Sequence, residues 1–141
     1  MDYMTKHHHI LRNQPFSELQ GRTVLLVEPE AEARSFYSQQ LSNIEMRVIP
    51  VESITVMHNE TQNANPDVVV VNPSEDLQAG IRILRELRQE FPSLPVITMT
   101  MTMPEATLDA MMQSGVSLHI NRGLTRPRDL LLALEQVLAI K

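Results

Sequence analysis

The pattern of hydrophobic positions is plainest at four consecutive valines, Val68–Val71, which are bounded by Pro66 and Pro73. An uninterrupted apolar run of this length predicts a strand buried on both faces of a parallel sheet. Other short apolar runs predict four more strands, of which the second is interrupted by Pro50 and is therefore expected at a sheet edge. These four predicted strands are residues 23–27, 45–51, 96–100 and 116–121.

Segments with apolar residues at helical spacing separate these strands. The strongest of them is residues 77–91, where apolar residues recur every third or fourth position. Pro104 and Pro127 suit the first turn of a helix, and Gly115 suits the residue after a helix end. The other predicted helices are residues 30–42, 52–64 and 104–114, and a last one capped by Thr125 or Arg126 that runs to Ile140. The predicted buried face of the first helix consists of Ala33, Phe36, Tyr37 and Leu41.

Strands that alternate with helices at short, regular spacing predict parallel βαβ units with right-handed crossovers. The fold class expected is α/β, a flavodoxin-like (βα)5 doubly wound parallel sheet with strand order 2-1-3-4-5. We predict one domain over residues 22–141, preceded by an N-terminal extension of residues 1–21 that is partly disordered or tag-derived. Within the extension, Phe16 and Leu19 are expected to dock on the domain through one helical turn. His7, His8 and His9 indicate either a weak metal clasp or a solvated tail.

Composition and charge exclude several classes of function. A hydrophobic fraction of 43% is ordinary for a globular chain, and the formal net charge of −5 argues against a broad nucleic-acid-binding face. The chain has no cysteine, so disulfides, thiolate metal sites and cysteine nucleophiles are excluded. No apolar run approaches the roughly 20 residues of a membrane span, and no signal peptide opens the chain, which favours the cytoplasm. Glu28 and Pro29 stand where a glycine-rich phosphate loop would follow the first strand, which argues against a nucleotide or flavin cofactor.

The candidate chemistry lies at the carboxyl ends of the strands, where open parallel sheets gather their functional residues. Side chains at these ends meet at one edge of the sheet. The residue expected there is Asn72, which directly follows the valine strand.

Residues 22–140 resemble a response-regulator receiver domain, and most of all the receiver half of LuxR-type helix-turn-helix regulators. The resemblance is carried by the strand and acidic corner at 22–28, the valine strand at 66–72 with Gly80, and the helix and strand at 84–97. It continues through 115–124, Pro127, Leu130 and Leu131. Gly123 after Arg122 is similar to the LuxR-type branch, where a glycine often follows the fifth-strand lysine.

The resemblance implies a phosphoaccepting aspartate, an acidic pair that holds Mg²⁺, a hydroxyl residue and a lysine. Read position by position, these are Asn72, Glu28 with Pro29, Thr100 and Arg122. A carboxamide does not form an acyl phosphate, and Mg²⁺ usually requires one or two carboxylates, so we expect no catalytic residue and no metal. We hypothesise instead that Glu28 contacts Arg122, with Asn72 and Thr100 as hydrogen-bond partners, unless Arg122 points to solvent.

Three other carboxylates are near enough in sequence to substitute for the missing aspartate. They are Asp67, Glu75 and Asp76, and we expect all three to be solvated charges of a loop or a strand start.

The resemblance also implies that protein partners or a second copy bind the face made by the fourth helix, fifth strand and fifth helix. Methionines and arginines are frequent there, and methionines suit adaptable binding surfaces. The residues of this predicted partner face are Met111, Met112, His119, Arg126 and Arg128, beside Met101, Met103 and Arg122. About half of the four methionines are expected to be buried. His119, at the position of the family's aromatic switch residue, is expected to be either pH-sensitive or a plain surface histidine.

The predicted function is that of a pseudo-receiver, a non-enzymatic signalling module that acts by phosphorylation-independent contact with a protein partner or as a homodimer. Nucleic acid and membrane are not expected as direct partners. Two alternatives stay open, a phosphoacceptor response regulator with a non-standard site and the receiver part of a longer transcriptional regulator. A small-ligand binder of flavodoxin-like shape is a third.

Overall fold

A parallel sheet of five strands is the centre of the computed structural model, which describes residues 16–73, 76–123 and 126–138. Its strand order is β2-β1-β3-β4-β5 and all neighbouring strands run parallel, which confirms the predicted fold class. Strand β2 lies at an edge, as its proline predicted. The strands are β1 (Thr23–Val27), β2 (Arg47–Val51), β3 (Val68–Val71), β4 (Val96–Thr100) and β5 (Leu118–Asn121).

Helices cover both faces of the sheet. The described helices are α1 (Ala31–Asn43), α2 (Met57–Ala64), α3 (Leu77–Glu90), α4 (Glu105–Gln113) and α5 (Pro127–Leu138). One core cluster joins α1 and α5 to one face, and a second joins α2, α3 and α4 to the other. None of the described helices is long and apolar enough to cross a membrane.

The valine strand β3 lies in the middle of the sheet and is fully buried. Val68 and Val70 pack in the α1–α5 cluster, whereas Val69 and Val71 pack in the cluster on the opposite face. Both faces of β3 are thus covered, which is why its sequence is continuously apolar instead of alternating. Asn72 follows directly and continues the ladder, because its backbone N–H donates to the carbonyl oxygen of Val27 at 2.8 Å.

Helix α3 begins close to this strand end. The Asp76 carboxylate accepts a hydrogen bond from the backbone N–H of Ala79 at 3.1 Å, which caps the helix. A Cβ atom at Gly80 would lie 2.8 Å from Cβ of Pro73, so only glycine allows this close approach of helix and loop. The loop that leaves Asn72 is therefore packed against the first turn of α3.

The segment before β1 packs on the domain as the sequence predicted. Ser17–Leu19 forms a 3₁₀ turn, and the side chains of Phe16 and Leu19 are buried in the α1–α5 cluster. The Arg128 guanidinium carbon lies 5.1 Å from the centroid of the Phe16 ring, a cation–π distance. Residues 1–15, including the three histidines, lie outside the described residues, and the boundary at residue 21 stays a prediction.

Two details of the helices differ from the sequence prediction. Phe36 is 45% exposed and does not belong to the buried face of α1. Consecutive helical residues are about 100° apart, and it is the neighbouring Tyr37 that packs against the α1–α5 cluster. The helix predicted at 52–64 is divided into a 3₁₀ turn, Ile54–Val56, and the shorter α2, because Ser53 accepts a hydrogen bond from the N–H of Thr55 and caps the turn. Residues 124–125 and 139–140, which include Thr125 and Ile140, lie outside the described residues.

Candidate functional site

The site is built around the buried carboxylate of Glu28, which directly follows β1 and is 1% exposed. One carboxylate oxygen lies 3.1 Å from Asn72 Nδ2 and 3.1 Å from Arg122 Nη1. The other oxygen accepts from Asn72 Nδ2 at 3.2 Å and from the backbone N–H of Glu30 at 3.0 Å. Both oxygens of the carboxylate are therefore occupied by nitrogen donors, as a buried charge requires.

Sheet register brings the three side chains together. The backbone N–H groups of Glu28, Asn72 and Arg122 each donate to the neighbouring strand, so the ladder extends past the ends of β1, β3 and β5. Along their strands the three residues have the parity of the side chains that face α1 and α5. They therefore converge on one side of the sheet edge.

Asn72 acts here as a hydrogen-bond donor. Its side chain is buried, and Nδ2 points at both carboxylate oxygens of Glu28. The amide oxygen Oδ1 has no hydrogen-bond partner within the described residues. The opposite orientation would place Oδ1 against a carboxylate, where neither group has a hydrogen to donate.

Arg122 is held by more than Glu28. Its Nη2 atom lies 3.6 Å from Oε1 of Glu30, and its guanidinium carbon lies 5.5 Å from the centroid of the Tyr37 ring. The arginine thus connects the end of β5 to the first two turns of α1. Glu30 and Tyr37 were not among the site residues predicted from the sequence. Seven residues, or two helical turns, separate the N-cap Glu30 from Tyr37, which places both on one face.

An open cleft of about 410 Å³ lies above these residues. Met101 and Pro29 line it together with Glu28, Glu30, Asn72 and Arg122. Pro29 contributes only a backbone carbonyl as a polar group, and that carbonyl accepts from Arg34 Nη1 at 3.3 Å. Position 29, where the family resemblance implies a second acidic residue, therefore brings no side-chain oxygen to the cleft.

Thr100 does not join this cluster, so its expected role as a partner of the Glu28–Arg122 contact is wrong. Its hydroxyl donates to the carbonyl oxygen of Met101 at 2.9 Å and lies 3.4 Å from His119 Nε2. The physical reason is strand parity. Val96 lies four residues before Thr100 on β4, so their side chains are on the same face of the sheet. Val96 packs with the helices of the face opposite to α1 and α5, and Thr100 therefore also points to that face.

His119 is hydrogen-bonded and is not a plain surface side chain. Its Nδ1 atom lies 2.8 Å from the hydroxyl oxygen of Thr98, the residue opposite it on β4. The ring is partly buried between β4 and β5, and this burial lowers the pKa of His119 below its ordinary value. The neutral imidazole is thereby favoured.

The residues present do not fit the Mg²⁺ ion that the fold family implies. A magnesium site needs oxygen ligands in octahedral order, usually with one or two carboxylates. Here the single carboxylate of the cluster already accepts from an amide nitrogen and a guanidinium. Within the described ranges, no group of three or more histidine, aspartate or glutamate side chains is arranged to hold a metal ion.

The other acidic residues considered as substitutes have structural roles. Asp67 is exposed, and its carboxylate accepts from the backbone N–H of Thr23 at 2.7 Å, at the opposite end of β1 from Glu28. Asp76 caps α3. Neither is simply solvated as predicted, and Glu75 lies outside the described residues.

The predicted partner face needs one correction. Met111 is fully buried and packs in the cluster beneath α4, so it cannot contact a partner. The adjacent Met112 is 37% exposed because it lies about 100° further around the helix. Arg126 and Arg128 are exposed at the start of α5, where Arg126 lies 3.9 Å from Asp129. Of the four methionines of this face, Met111 is buried and Met103 is partly buried. Met112 and Met101 are exposed, Met101 by 60%.

Comparison with known proteins identifies the fold. A response regulator from Thermotoga maritima superposes with a TM-score of 0.75 at 18% identity, over 85% of this chain and 99% of that one. A CheY-like receiver domain protein from Methanospirillum hungatei gives a TM-score of 0.76 at 16% identity, over 85% and 95%. The BeF3-activated N-terminal receiver domain of RstA from Klebsiella pneumoniae gives 0.74 at 21% identity, over 84% and 99%.

None of the curated proteins shows a significant match to the chain. The family model described as the response regulator receiver domain, however, matches residues 24–135, which is most of the sequence. This range contains the sheet except for Thr23, the cluster around Glu28 and most of α5. The protein therefore belongs to the response regulator receiver domain family, whose members are signalling modules of two-component systems.

Proposed function

We propose that this receiver domain is a pseudo-receiver, which signals by contact with a protein partner and is not phosphorylated. The observation that carries the proposal is the position of Asn72. It follows the central strand β3, where the family has its phosphoaccepting aspartate, and its amide hydrogens point at Glu28. The carboxamide oxygen carries no full charge and is a poor nucleophile towards phosphorus.

Deamidation does not supply the missing aspartate easily. The usual route requires the next backbone nitrogen to attack the side-chain carbonyl. The next residue is Pro73, which has no N–H. Asn72 is therefore expected to remain an amide during the life of the protein.

Exposed methionine and arginine side chains at α4 and at the start of α5 support the signalling part of the proposal. Met112 on α4, Arg126 just before α5 and Arg128 in the first turn of α5 are exposed on the face that the family resemblance assigns to partners. Methionine side chains adapt to different surfaces, and the arginines suit acidic groups on a partner. We propose that a signalling protein, or a second copy of the chain, binds here, and that the closest branch of the family is the receiver half of LuxR-type regulators.

The direct test is incubation with acetyl phosphate and Mg²⁺, followed by intact-mass spectrometry. We expect the mass of the protein to stay unchanged, while an aspartate-containing receiver domain treated in parallel gains one phosphoryl group. Acetylation of lysines is distinguished by its different mass. A phosphoryl adduct on any side chain, located by fragmentation, would overturn the proposal.

The partner surface is tested separately by charge reversal. Arg126→Glu combined with Arg128→Glu should abolish partner capture or dimer formation, measured by pull-down and by light scattering. The matched control is Arg82→Glu on the exposed side of α3. Equal loss in the control, or no loss in the double variant, would remove this face from the proposal.

A further inference from the structure

The buried Glu28 carboxylate needs a positive charge, and one side chain supplies it. A carboxylate that is 1% exposed is costly unless it is paired and hydrogen-bonded. Among the described residues, the cation in ion-pair contact with it is Arg122, at 3.1 Å. Arg34 contacts Glu28 through its backbone carbonyl and not through its carboxylate, and it pairs with Glu52 at 3.8 Å.

Two side-chain contacts and one backbone hydrogen bond hold Arg122 in this position. Glu30 approaches it from the solvent side, Tyr37 lies beneath it, and the Arg122 backbone N–H donates to Thr100 at 2.8 Å. The planar guanidinium brings its positive charge as part of the protein's own side chain. It is therefore a permanent charge within the cluster.

We infer that Arg122 is the built-in cation of this pocket and makes the link between β5 and α1 independent of divalent metal. The inference rests on the proposed function, since it explains how the site keeps its charge balance without metal or phosphate. A divalent ion could reach Glu28 only by displacing the guanidinium and turning away the Asn72 amide. Arg122 is thus a positioning residue for Glu28, and it excludes the metal that the family normally binds.

The experiment measures the melting temperature of the whole chain in EDTA and in millimolar Mg²⁺, with no phosphodonor present. For the unaltered protein we expect the same temperature in both buffers. Arg122→Met keeps the apolar stem and removes the charge, so its melting temperature in EDTA should fall by about 10 °C. Mg²⁺ should then recover part of that loss, because the ion can take the vacated place.

Two further variants separate charge from packing. Arg122→Lys keeps the positive charge but loses the planar group over Tyr37, so its melting temperature should fall by less than that of Arg122→Met and respond less to Mg²⁺. Arg82→Met removes an exposed arginine of α3, outside the pocket, and should change neither the melting temperature nor its Mg²⁺ response. Should Arg122→Met fail to fold, Mn²⁺ binding decides the question. It is followed by electron paramagnetic resonance on the protein and on Arg122→Lys, both with His7, His8 and His9 replaced by alanine so that binding at the pocket alone is measured. We expect no bound Mn²⁺ in either case.

Three results would overturn the inference. The first is a melting temperature of the unaltered protein that rises with Mg²⁺, or Mn²⁺ bound to the protein without the three histidines. The second is an Arg122→Met variant as stable as the parent. The third is a loss in Arg122→Met that Mg²⁺ does not recover, which would reduce Arg122 to packing on Tyr37. A phosphoryl adduct in the mass experiment would instead contradict the proposed function. It would not change the outcome of the melting-temperature comparison in EDTA and Mg²⁺.

Discussion

Replacing Asn72 by aspartate restores the family's residue at this position, yet we expect it to destabilise the protein. Asn72 Nδ2 lies 3.1 and 3.2 Å from the two oxygens of Glu28. In Asn72→Asp an oxygen takes the place of that donor, and two carboxylates meet in a buried site. At 3.1 Å and an effective dielectric constant near 20, their repulsion is about 5 kcal/mol. Pairing of both carboxylates with Arg122 offsets part of this, which leaves a net loss of about 3 kcal/mol.

Urea denaturation in EDTA measures this loss. With a slope near 1.5 kcal/mol per molar urea, a loss of about 3 kcal/mol lowers the midpoint by about 2 M. The matched variant Asn72→Leu removes the donor without adding charge, and should cost about 1.5 kcal/mol. The reasoning is refuted when Asn72→Asp proves as stable as the parent protein, or no less stable than Asn72→Leu.

Three further predictions test the packing and the buried histidine. Met111→Ala should lower the free energy of unfolding by about 2–4 kcal/mol and Met112→Ala by less than about 0.5 kcal/mol, and equal losses would contradict their assigned burial. Leu19→Ala should cost about 2–3 kcal/mol in the same urea assay, whereas an unaffected midpoint would show that the turn before β1 is not part of the core. Burial lowers the pKa of His119 in the folded protein, so as the pH falls His119 is protonated in the unfolded chain before it is protonated in the folded one. The stability of the parent relative to His119→Gln should therefore fall as pH drops below about 6.5, and a difference constant with pH would refute this.

Much of the fold was predictable because its signals are local. The four valines between two prolines indicate a doubly buried strand by composition alone, and strong helical periodicity marked α3. Helix α1 was harder, because two consecutive aromatic residues, Phe36 and Tyr37, both fit a loose apolar pattern. Which of them faces the core depends on the rotation of the helix on the sheet, and this is set by packing partners distant in the sequence.

The site was predictable in part for the same reason. Parallel strands deliver the residues after their ends to one edge, so the meeting of Glu28, Asn72 and Arg122 follows from topology. Strand parity at β4 decided that Thr100 turns to the other face, and parity could not be fixed without the register of β4 against β3. The contribution of Tyr37 depends on the length of the Arg122 side chain and its direction, which no sequence pattern encodes.

The hydrogen bonds to the Glu28 carboxylate also limit which substitutions this pocket can accept. Its two oxygens accept from three different groups, the Asn72 amide, the Arg122 guanidinium and the Glu30 backbone. Residues that share one partner act on it non-additively, so a change at one position alters the cost of a change at the other. The full residue set that the family resemblance implies for phosphate acceptance would require aspartate at 72, a second acid at 29 and a lysine at 122. The first of these changes alone places two negative charges in a buried site, so we expect single variants on the way to such a site to be less stable than the parent protein.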